Sequence, residues 1–595
     1  MRALNSIVFF LFIFSSAFSQ PYYFKGEIKD ETGAPMQNVS ILHRSTGYVY
    51  YSGVTGAFGF VGNNKTDSLT FTKDGYFQKT LVAIANQSLE VTLKKDPVSA
   101  ISTSRYKLVS FTKNLSRESQ REWFTGDETY ASIIENRFIN AQKFPSTELA
   151  LNVDRASYSN VRRFLNMNTA VPPDAVRIEE MLNYFNAGYQ QPEPNNDFKI
   201  NTTLTTTPWN KNNQLYFIEI SSKKLNVDTL PPSNLVFLVD ISGSMDMPTR
   251  LPLLKSAFRL LVNNLRQKDS VTIVVYGGAV GIKLETTGGD EKVKILKAID
   301  ELEPGGATPG ESGIKLAYSI ARNHFIKDGN NRVILATDGD FNVGLKTEDE
   351  LDELISSQRH AGIYLTCLGV GMGNYKDSKI QLLARKGNGN FAYLDNFQEA
   401  EKVLLREFTE TLYAVADDVN MNVEFNNEYV KEYRLIGYDN KVGAISDSLS
   451  DIEGGEIGSG HSMMAVFEIV PTPFFENEIQ KSLPKRKLAD IKINYKLPGD
   501  SLQKEFNYQG PYELVPFDST KSYYRFSSAL IMFGSLLKNS SYTKSINWND
   551  ILQVSLKSYD PSEVNQKEFI SLVEKAKDIY SKKKKKKKRS RDRFN

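Results

Sequence analysis

The stretch Asn234-Leu-Val-Phe-Leu-Val-Asp240-Ile-Ser242-Gly-Ser244-Met245 decides how this chain folds. An almost uninterrupted apolar run ends at Asp240, and a short turn rich in Ser and Gly follows it. An apolar run of this length predicts a strand that is buried on both faces of a parallel sheet. Asp240 would then lie at the carboxyl end of the strand, where open α/β sheets bind their ligands.

The spacing of Asp240, Ser242 and Ser244 indicates a cation site. Because these residues alternate along the chain, a bent loop can direct their three side-chain oxygens to one point. A carboxylate and two hydroxyls suit a hard divalent cation such as Mg²⁺, which prefers oxygen ligands. The alternative interpretation is an ordinary strand-to-helix turn capped by serine, since short motifs also occur by chance.

Two later loops supply the remaining residues of a known pattern. Thr308 ends Gly305-Gly306-Ala307-Thr308, and Asp338 lies in Ala336-Thr337-Asp338-Gly339 after an apolar run. With the D-x-S-x-S pattern, these loops resemble the von Willebrand factor type A (VWA) domain and its metal-ion-dependent adhesion site. The resemblance implies that a metal contacts Asp240, Ser242, Ser244 and Thr308, and that Asp338 holds it through water. Mg²⁺ is the expected metal, with Mn²⁺ and Ca²⁺ as alternatives.

The residues around this site predict a doubly wound α/β domain from 230 to 412. Apolar strand runs alternate there with amphipathic helical runs, which is typical of a mostly parallel sheet covered by helices. The sequence lacks a G-x-x-x-x-G-K-S/T pattern, so no nucleotide phosphate loop is expected. Cys367 is the single cysteine, cannot form an internal disulfide, and is expected in a buried strand.

The flanking regions predict further domains. Residues 20–95 contain short alternating strands with frequent turns, which favours a β-sandwich. They resemble the carboxypeptidase regulatory-like domain, and this resemblance implies an accessory module without peptidase activity. Residues 131–200 look helical, and their segment Asn152-Val-Asp154-Arg155 resembles a region found before some bacterial VWA domains. Arg162, Arg163 and Glu180 are expected to form a structural charge network or to lie on solvated helix faces.

The predicted protein is therefore multidomain, with a central Rossmann-like α/β sheet, a small β-sandwich before it, and a mainly β and then helical region after it. The predicted boundaries are 1–19 for a signal peptide, 20–95 for the β-sandwich, 96–130 for a linker, 131–229 for the VWA-preceding region, 230–412 for the VWA domain, 413–580 for a VWA-associated domain and 581–595 for a basic disordered tail.

Charge and targeting signals lie at the two ends of the 595-residue chain. The net charge is +3, but residues 582–593 hold seven Lys, three Arg and one Asp, so the remainder carries −6. This distribution argues against a nucleic-acid-binding protein, although the tail could touch anionic surfaces. Arg2, a short apolar core and Ala17-Phe-Ser19 predict a signal peptide cleaved before Gln20, with export to the periplasm or cell surface. No transmembrane segment is expected.

The residue pattern favours a binding protein over an enzyme. None of the four histidines stands in a paired zinc motif, and His461 is expected to be structural rather than a ligand or general base. We expect the metal to offer an open position to an Asp or Glu carboxylate of a partner protein. One alternative is a metal-assisted hydrolase of the cell envelope, which needs further carboxylates such as Asp246 or Asp340. Another is an envelope scaffold whose metal only stiffens a loop.

Overall fold

The computed structural model falls into two compact units, residues Met1–Ser104 and Arg105–Asn595. It describes residues 22–45, 48–62, 64–73, 76–95, 107–109, 128, 130, 133–151, 154–185, 189–226, 230–277, 280–306, 310–339, 348–371, 377–439, 455–473, 486–500 and 502–591. The predicted signal peptide and most of the predicted linker lie outside these ranges. Among the described residues, no helix combines the length and apolar character needed to cross a membrane.

The first unit consists of two small β-sheets. Its strands are β1 (Tyr22–Asp30), β2 (Ser40–His43), β3 (Tyr48–Tyr51), β4 (Ala57–Gly62), β5 (Thr66–Thr72), β6 (Lys79–Ile84) and β7 (Ser88–Leu93). One sheet has the order β4-β1-β7 and the other β3-β2-β5-β6. Apolar side chains from both sheets, including Phe24, Ile41 and Phe71, form one core. Two sheets around a shared core agree with the β-sandwich that the alternating short strands predict. The resemblance to the carboxypeptidase regulatory-like domain stays a prediction.

The second unit contains strands β8 to β25 and twelve α-helices among its described residues. The strands are β8 (Lys107–Val109), β9 (Ile139–Asn140), β10 (Ser146–Ala150), β11 (Phe198–Thr206), β12 (Gln214–Ser222), β13 (Ser233–Asp240), β14 (Ser270–Tyr276), β15 (Gly281–Gly288), β16 (Asn330–Thr337), β17 (Ile363–Val370), β18 (Phe391–Leu394), β19 (Ala414–Phe425), β20 (Val430–Ile436), β21 (Gly455–Gly458), β22 (Ser462–Pro471), β23 (Lys487–Lys496), β24 (Gln503–Pro511) and β25 (Leu514–Val515). The helices are α1 (Ala156–Asn166), α2 (Ile178–Tyr184), α3 (Leu251–Asn263), α4 (Lys292–Asp300), α5 (Gly310–Asn323), α6 (Glu348–His360), α7 (Asp377–Lys386), α8 (Phe397–Glu401), α9 (Phe408–Leu412), α10 (Ser522–Lys538), α11 (Trp548–Leu556) and α12 (Val564–Arg591).

One sheet of this unit is a six-stranded α/β sheet with the strand order β15-β14-β13-β16-β17-β18. All neighbours are parallel except the edge strand β15, which the sequence pattern did not predict. Successive side chains of β13 point to opposite faces, so Phe237 packs against Phe258 of α3 while Leu238 joins the core on the other face with Ile314 of α5. Burial of both faces confirms the doubly wound sheet. Cys367 is buried in β17, as predicted.

Two further six-stranded sheets combine strands from both sides of the α/β region. One has the order β24-β23-β19-β10-β8, with β21 beside β19, and the other has the order β25-β11-β12-β22-β20-β9. Each sheet takes strands from both of the predicted regions 131–229 and 413–580, so these two regions share their sheets, and the boundaries themselves stay predictions. Residues 131–200 are also not wholly helical, since β9 and β10 precede α1. The periodicity of one segment does not reveal which distant segment its strands pair with.

Each of these sheets contributes one face to a common core, and helices cover the second face of the β12–β22 sheet. Tyr216 and Phe467 face Met421 and Ile491 between the two sheets. On the other side, Phe217 packs with α2 and α10 in a second core. The last helix, α12, continues through the lysine run to Arg591. The predicted disordered tail is thus helical up to that residue, because lysine is a good helix former and the packed turns around Phe569 have already nucleated the helix.

Candidate metal-binding site at the carboxyl edge of the α/β sheet

The sheet topology brings two aspartates together. Asp240 is the last residue of β13, and Asp338 directly follows β16, its parallel neighbour. From β13 the chain first builds the sheet toward β14 and β15, and it then returns to the other side of β13 with β16. The carboxyl edge between β13 and β16 is therefore the topological switch point, where open α/β sheets form a crevice for ligands.

Asp240 is buried among neutral hydrogen-bond donors. Its Oδ1 accepts from the backbone N–H of Ser242 at 2.9 Å, and its Oδ2 accepts from the Thr337 hydroxyl at 3.3 Å. Burial raises the pKa of the Asp240 carboxyl to about 6, and the charge of Asp338 acts in the same direction. A carboxylate held in this environment favours the approach of a cation, because a positive charge would compensate its lost hydration.

The two serines of the motif present their hydroxyls together. A short 3₁₀ turn, Gly243–Met245, follows Ser242, and the buried Met245 side chain anchors it. The hydroxyl oxygens of Ser242 and Ser244 lie 3.1 Å apart. Ser242 is buried and Ser244 is exposed, so the pair runs from the carboxylate toward solvent.

Two neighbouring loops hold this turn in place. The backbone N–H of Ile241 donates to the carbonyl of Tyr276 at 2.8 Å. Gly277 follows with a φ of +141°, and a Cβ there would lie 2.5 Å from the nitrogen of Ser242. On the other side, Gly305 donates to the Ile241 carbonyl at 2.6 Å. The loop that leads to Thr308 is therefore bonded to the Asp240 turn, although Thr308 itself lies outside the described residues.

Asp338 forms an ion pair with a residue that sequence reasoning missed. The guanidinium of Arg250 lies 2.5 Å from Oδ2 of the buried Asp338, and the same nitrogen donates to the Ser244 carbonyl at 2.7 Å. Arg250 immediately precedes α3, at a position that resembles an ordinary helix start. The only available signal was a basic residue shortly after the D-x-S-x-S turn, and that spacing did not indicate its direction.

The donor set at this edge fits a divalent cation such as Mg²⁺. It consists of oxygens alone: two buried carboxylates of which one is paired with arginine, and two adjacent hydroxyls. Within the described ranges, no cluster of three or more His, Cys, Asp or Glu side chains could ligate a metal. Asp246 is exposed, and Asp340, the other carboxylate considered for hydrolysis, lies outside the described residues.

The charged residues of the preceding helices form structural networks, the first of the two predicted alternatives. Arg162 is buried and pairs with Asp395, Glu399 and Glu568. These contacts tie α1 to α8 and α12, because the carboxylates lie on or beside those helices.

The other members of these networks are also buried. Arg163 pairs with Glu128 at 2.8 Å, and Glu180 pairs with Arg177. Asp154 accepts from the backbone N–H of Phe391 at 3.1 Å, and burial raises its pKa to about 6. Asn152 lies outside the described residues.

His461 contacts Arg155, the residue that precedes α1. Its Nδ1 lies 3.3 Å from the Arg155 guanidinium, and burial, aided by that cation, lowers the pKa of the imidazole to about 3. The ring is therefore neutral at physiological pH, and the structural role that the sequence favoured stays a prediction.

Comparisons with known proteins place these regions among described families. Three family models match: "von Willebrand factor" over residues 125–216, "von Willebrand factor type A domain" over 234–411, and "Uncharacterized protein YfbK, C-terminal" over 410–579. The chain is 37% identical over 478 residues to the uncharacterized protein YfbK of Escherichia coli, a match that covers 76% of this chain and 81% of that protein.

Two further similarities are more distant. The chain is 28% identical over 185 residues to the uncharacterized protein sll0103 of Synechocystis, which covers 31% of this chain and 42% of that protein. A solved von Willebrand factor type A structure from Catenulispora acidiphila aligns with a TM-score of 0.38 and 12% identity, over 63% of this chain and 88% of that chain.

Proposed function

Because this chain belongs to the YfbK family of von Willebrand factor type A domain proteins, we propose that it is a non-enzymatic protein-binding protein that captures a partner carboxylate through a divalent cation. Asp240, Ser242, Ser244, Thr308 and Asp338 would hold the cation. The partner would be a protein that offers an Asp or Glu side chain.

The observation that carries this proposal is the environment of Asp240. Its carboxylate is fully buried, its hydrogen-bond donors are neutral, and the hydroxyls of Ser242 and Ser244 continue from it toward solvent. These residues would form one side of a cation site whose other side faces outward. When bound, Mg²⁺ would supply positive charge and an open coordination position for a carboxylate.

We also propose that the protein acts outside the cytoplasm, in the periplasm or at the cell surface. Arg2, the apolar core that follows it and Ala17-Phe-Ser19 support a signal peptide cleaved before Gln20. Mass spectrometry of periplasmic and secreted material should find a mature amino terminus within a few residues of Gln20. An intact Met1 on the exported protein would contradict this proposal.

Calorimetric titration with Mg²⁺ and Mn²⁺ tests the metal site. Asp240→Ala should abolish binding, because the variant lacks the principal anionic ligand. Asp246→Ala is the matched control, since Asp246 is exposed in the same loop and should be replaceable without loss of binding. Thermal melts of both variants would show that the fold is kept. Undiminished metal affinity in a folded Asp240→Ala protein would end the proposal.

A further inference from the structure

Arg250 occupies a position from which it can control the charge of the site. One of its guanidinium nitrogens contacts both the Asp338 carboxylate, at 2.5 Å, and the carbonyl of Ser244, at 2.7 Å. Ser244 belongs to the turn that follows β13, whereas Asp338 follows β16. A single cationic group therefore connects the two loops that supply the aspartates.

A third loop fixes the guanidinium. Gly371 has a φ of +83°, and a Cβ at this position would lie 2.4 Å from Nε of Arg250. The hydroxyl of Tyr393 donates to the carbonyl of Gly371 and so holds that backbone in place. Only 6% of Arg250 is exposed. Because its surroundings leave little room for another rotamer, its charge stays close to Asp338.

We propose that Arg250 is a positioning residue that neutralises Asp338 and keeps this carboxylate out of direct metal coordination. This inference rests on the proposed function. Asp240, Asp338 and Arg250 together carry a net charge of −1, so a bound divalent cation would retain a charge of +1 to attract a partner carboxylate. Without Arg250, Asp338 could turn to the cation, and the net charge would fall to zero. Arg250 would thus lower the affinity of the site for the metal and raise the affinity of the bound metal for a carboxylate.

Charge-changing variants of the full chain test this inference. Titration with Mn²⁺ should show about tenfold tighter binding by Arg250→Gln, because one buried positive charge is removed near the cation. Asp338→Asn should bind Mn²⁺ about tenfold more weakly, and the double variant should return close to the wild type. Arg259→Gln is the control, since Arg259 lies on α3, the helix that Arg250 precedes, with its side chain 45% exposed and paired with Asp300.

A second measurement reports on the open coordination position. Acetate, used as the carboxylate probe at saturating Mn²⁺, should lower water-proton relaxation in the wild type as it displaces metal-bound water. It should have about a tenfold weaker apparent affinity in Arg250→Gln. Two outcomes would overturn the inference while leaving the proposed function intact, provided that the wild type binds Mn²⁺. One is an Arg250→Gln variant whose Mn²⁺ affinity is no higher than that of the wild type. The other is a double variant whose Mn²⁺ affinity stays as low as that of Asp338→Asn. A wild type that binds no Mn²⁺ would overturn the proposed function and this inference together.

Discussion

Ile218 of β12 lies directly opposite Ala465 of β22 in an antiparallel pair, although the entire α/β sheet separates them along the chain. β12 is also paired with β11 on its other edge, so it lies inside a sheet completed only by residues after the α/β region. The α/β sheet is thus inserted into a β framework whose two halves depend on each other.

The first prediction concerns this dependence. Residues 413–580 produced alone should not fold cooperatively, because β22 would lose β12 and β19 would lose β10 as neighbours. Circular dichroism and limited proteolysis would measure the result. The control is a chain that lacks residues 20–104, since these belong to the other compact unit, and it should melt much as the full protein does. A well-folded 413–580 fragment would show that the pairing is dispensable.

Gly277 provides a second prediction. Its φ of +141° and the 2.5 Å approach of a Cβ to Ser242 leave no room for a side chain. Gly277→Ala should lower the free energy of unfolding by about 2 kcal/mol or more and weaken metal binding, because the Asp240 turn must move. Denaturant unfolding and Mn²⁺ titration measure both effects. Gly281→Ala is the matched control on the same hairpin, because its new Cβ would meet nothing within 4 Å. Equal losses of unfolding free energy and metal affinity in the two variants would contradict this account.

Local sequence patterns were sufficient for the α/β sheet except for its edge strand β15. The apolar runs that became β13, β14, β16 and β17 are each followed by turn residues, so their type and approximate ends could be predicted. The same patterns located Asp240, Ser242 and Asp338, because parallel strands end at one edge. The edge strand β15 was missed, since its polar sequence Gly281–Gly288 contains few buried residues and gives no apolar run.

The remaining features depend on contacts between distant residues. Arg250 looks like a surface cation at a helix start, and only the positions of Asp338 and Gly371 turn its guanidinium inward. The pairing of β12 with β22 also depends on distant residues, because the sequence of neither strand identifies its partner. Sequence patterns report local geometry and burial, whereas register and charge pairing follow from the assembled fold.

The third prediction concerns Glu219, which faces α10 from β12. Its Oε2 accepts hydrogen bonds from the hydroxyls of Tyr523 and Tyr524, both at 2.9 Å. Burial nevertheless raises the pKa of this carboxyl from 4.5 to about 7. The folded state therefore holds the proton more tightly than the unfolded state, and the contribution of Glu219 to stability declines as the pH rises from about 4.5 to 7.

Glu219→Gln should remove this decline, since the amide is neutral at every pH. Relative to the wild type, the variant should gain up to about 3 kcal/mol of unfolding free energy between pH 5 and pH 8. Denaturant unfolding at the two pH values gives the comparison. Glu505→Gln, at a glutamate side chain of β24 that is 51% exposed, is the control and should follow the wild type. Parallel pH profiles for Glu219→Gln and the wild type would refute the assignment.

The final prediction concerns the buried ion pair between Arg332 of β16 and Glu456 of β21. Their charged atoms lie 2.7 Å apart, and Arg332 also donates to the Thr366 hydroxyl at 2.9 Å. The pair links the α/β sheet to the β framework. Burial raises the pKa of Glu456 to about 7, although Arg332 acts to lower it.

Arg332→Met should therefore raise the pKa of Glu456 further, because the compensating cation is lost. At pH 8 the variant must bury an unpaired carboxylate or take up a proton on folding, so it should lose about 3–5 kcal/mol of unfolding free energy. At pH 5 the carboxyl is protonated in the folded state, so the loss should be smaller. Adding Glu456→Gln should remove the pH dependence of the loss and restore most of the stability at pH 8. Denaturant unfolding of both single variants and the double variant at pH 5 and pH 8 completes this double-mutant cycle. If Arg332→Met loses the same unfolding free energy at both pH values, the ion pair does not determine the stability of the contact between β16 and β21.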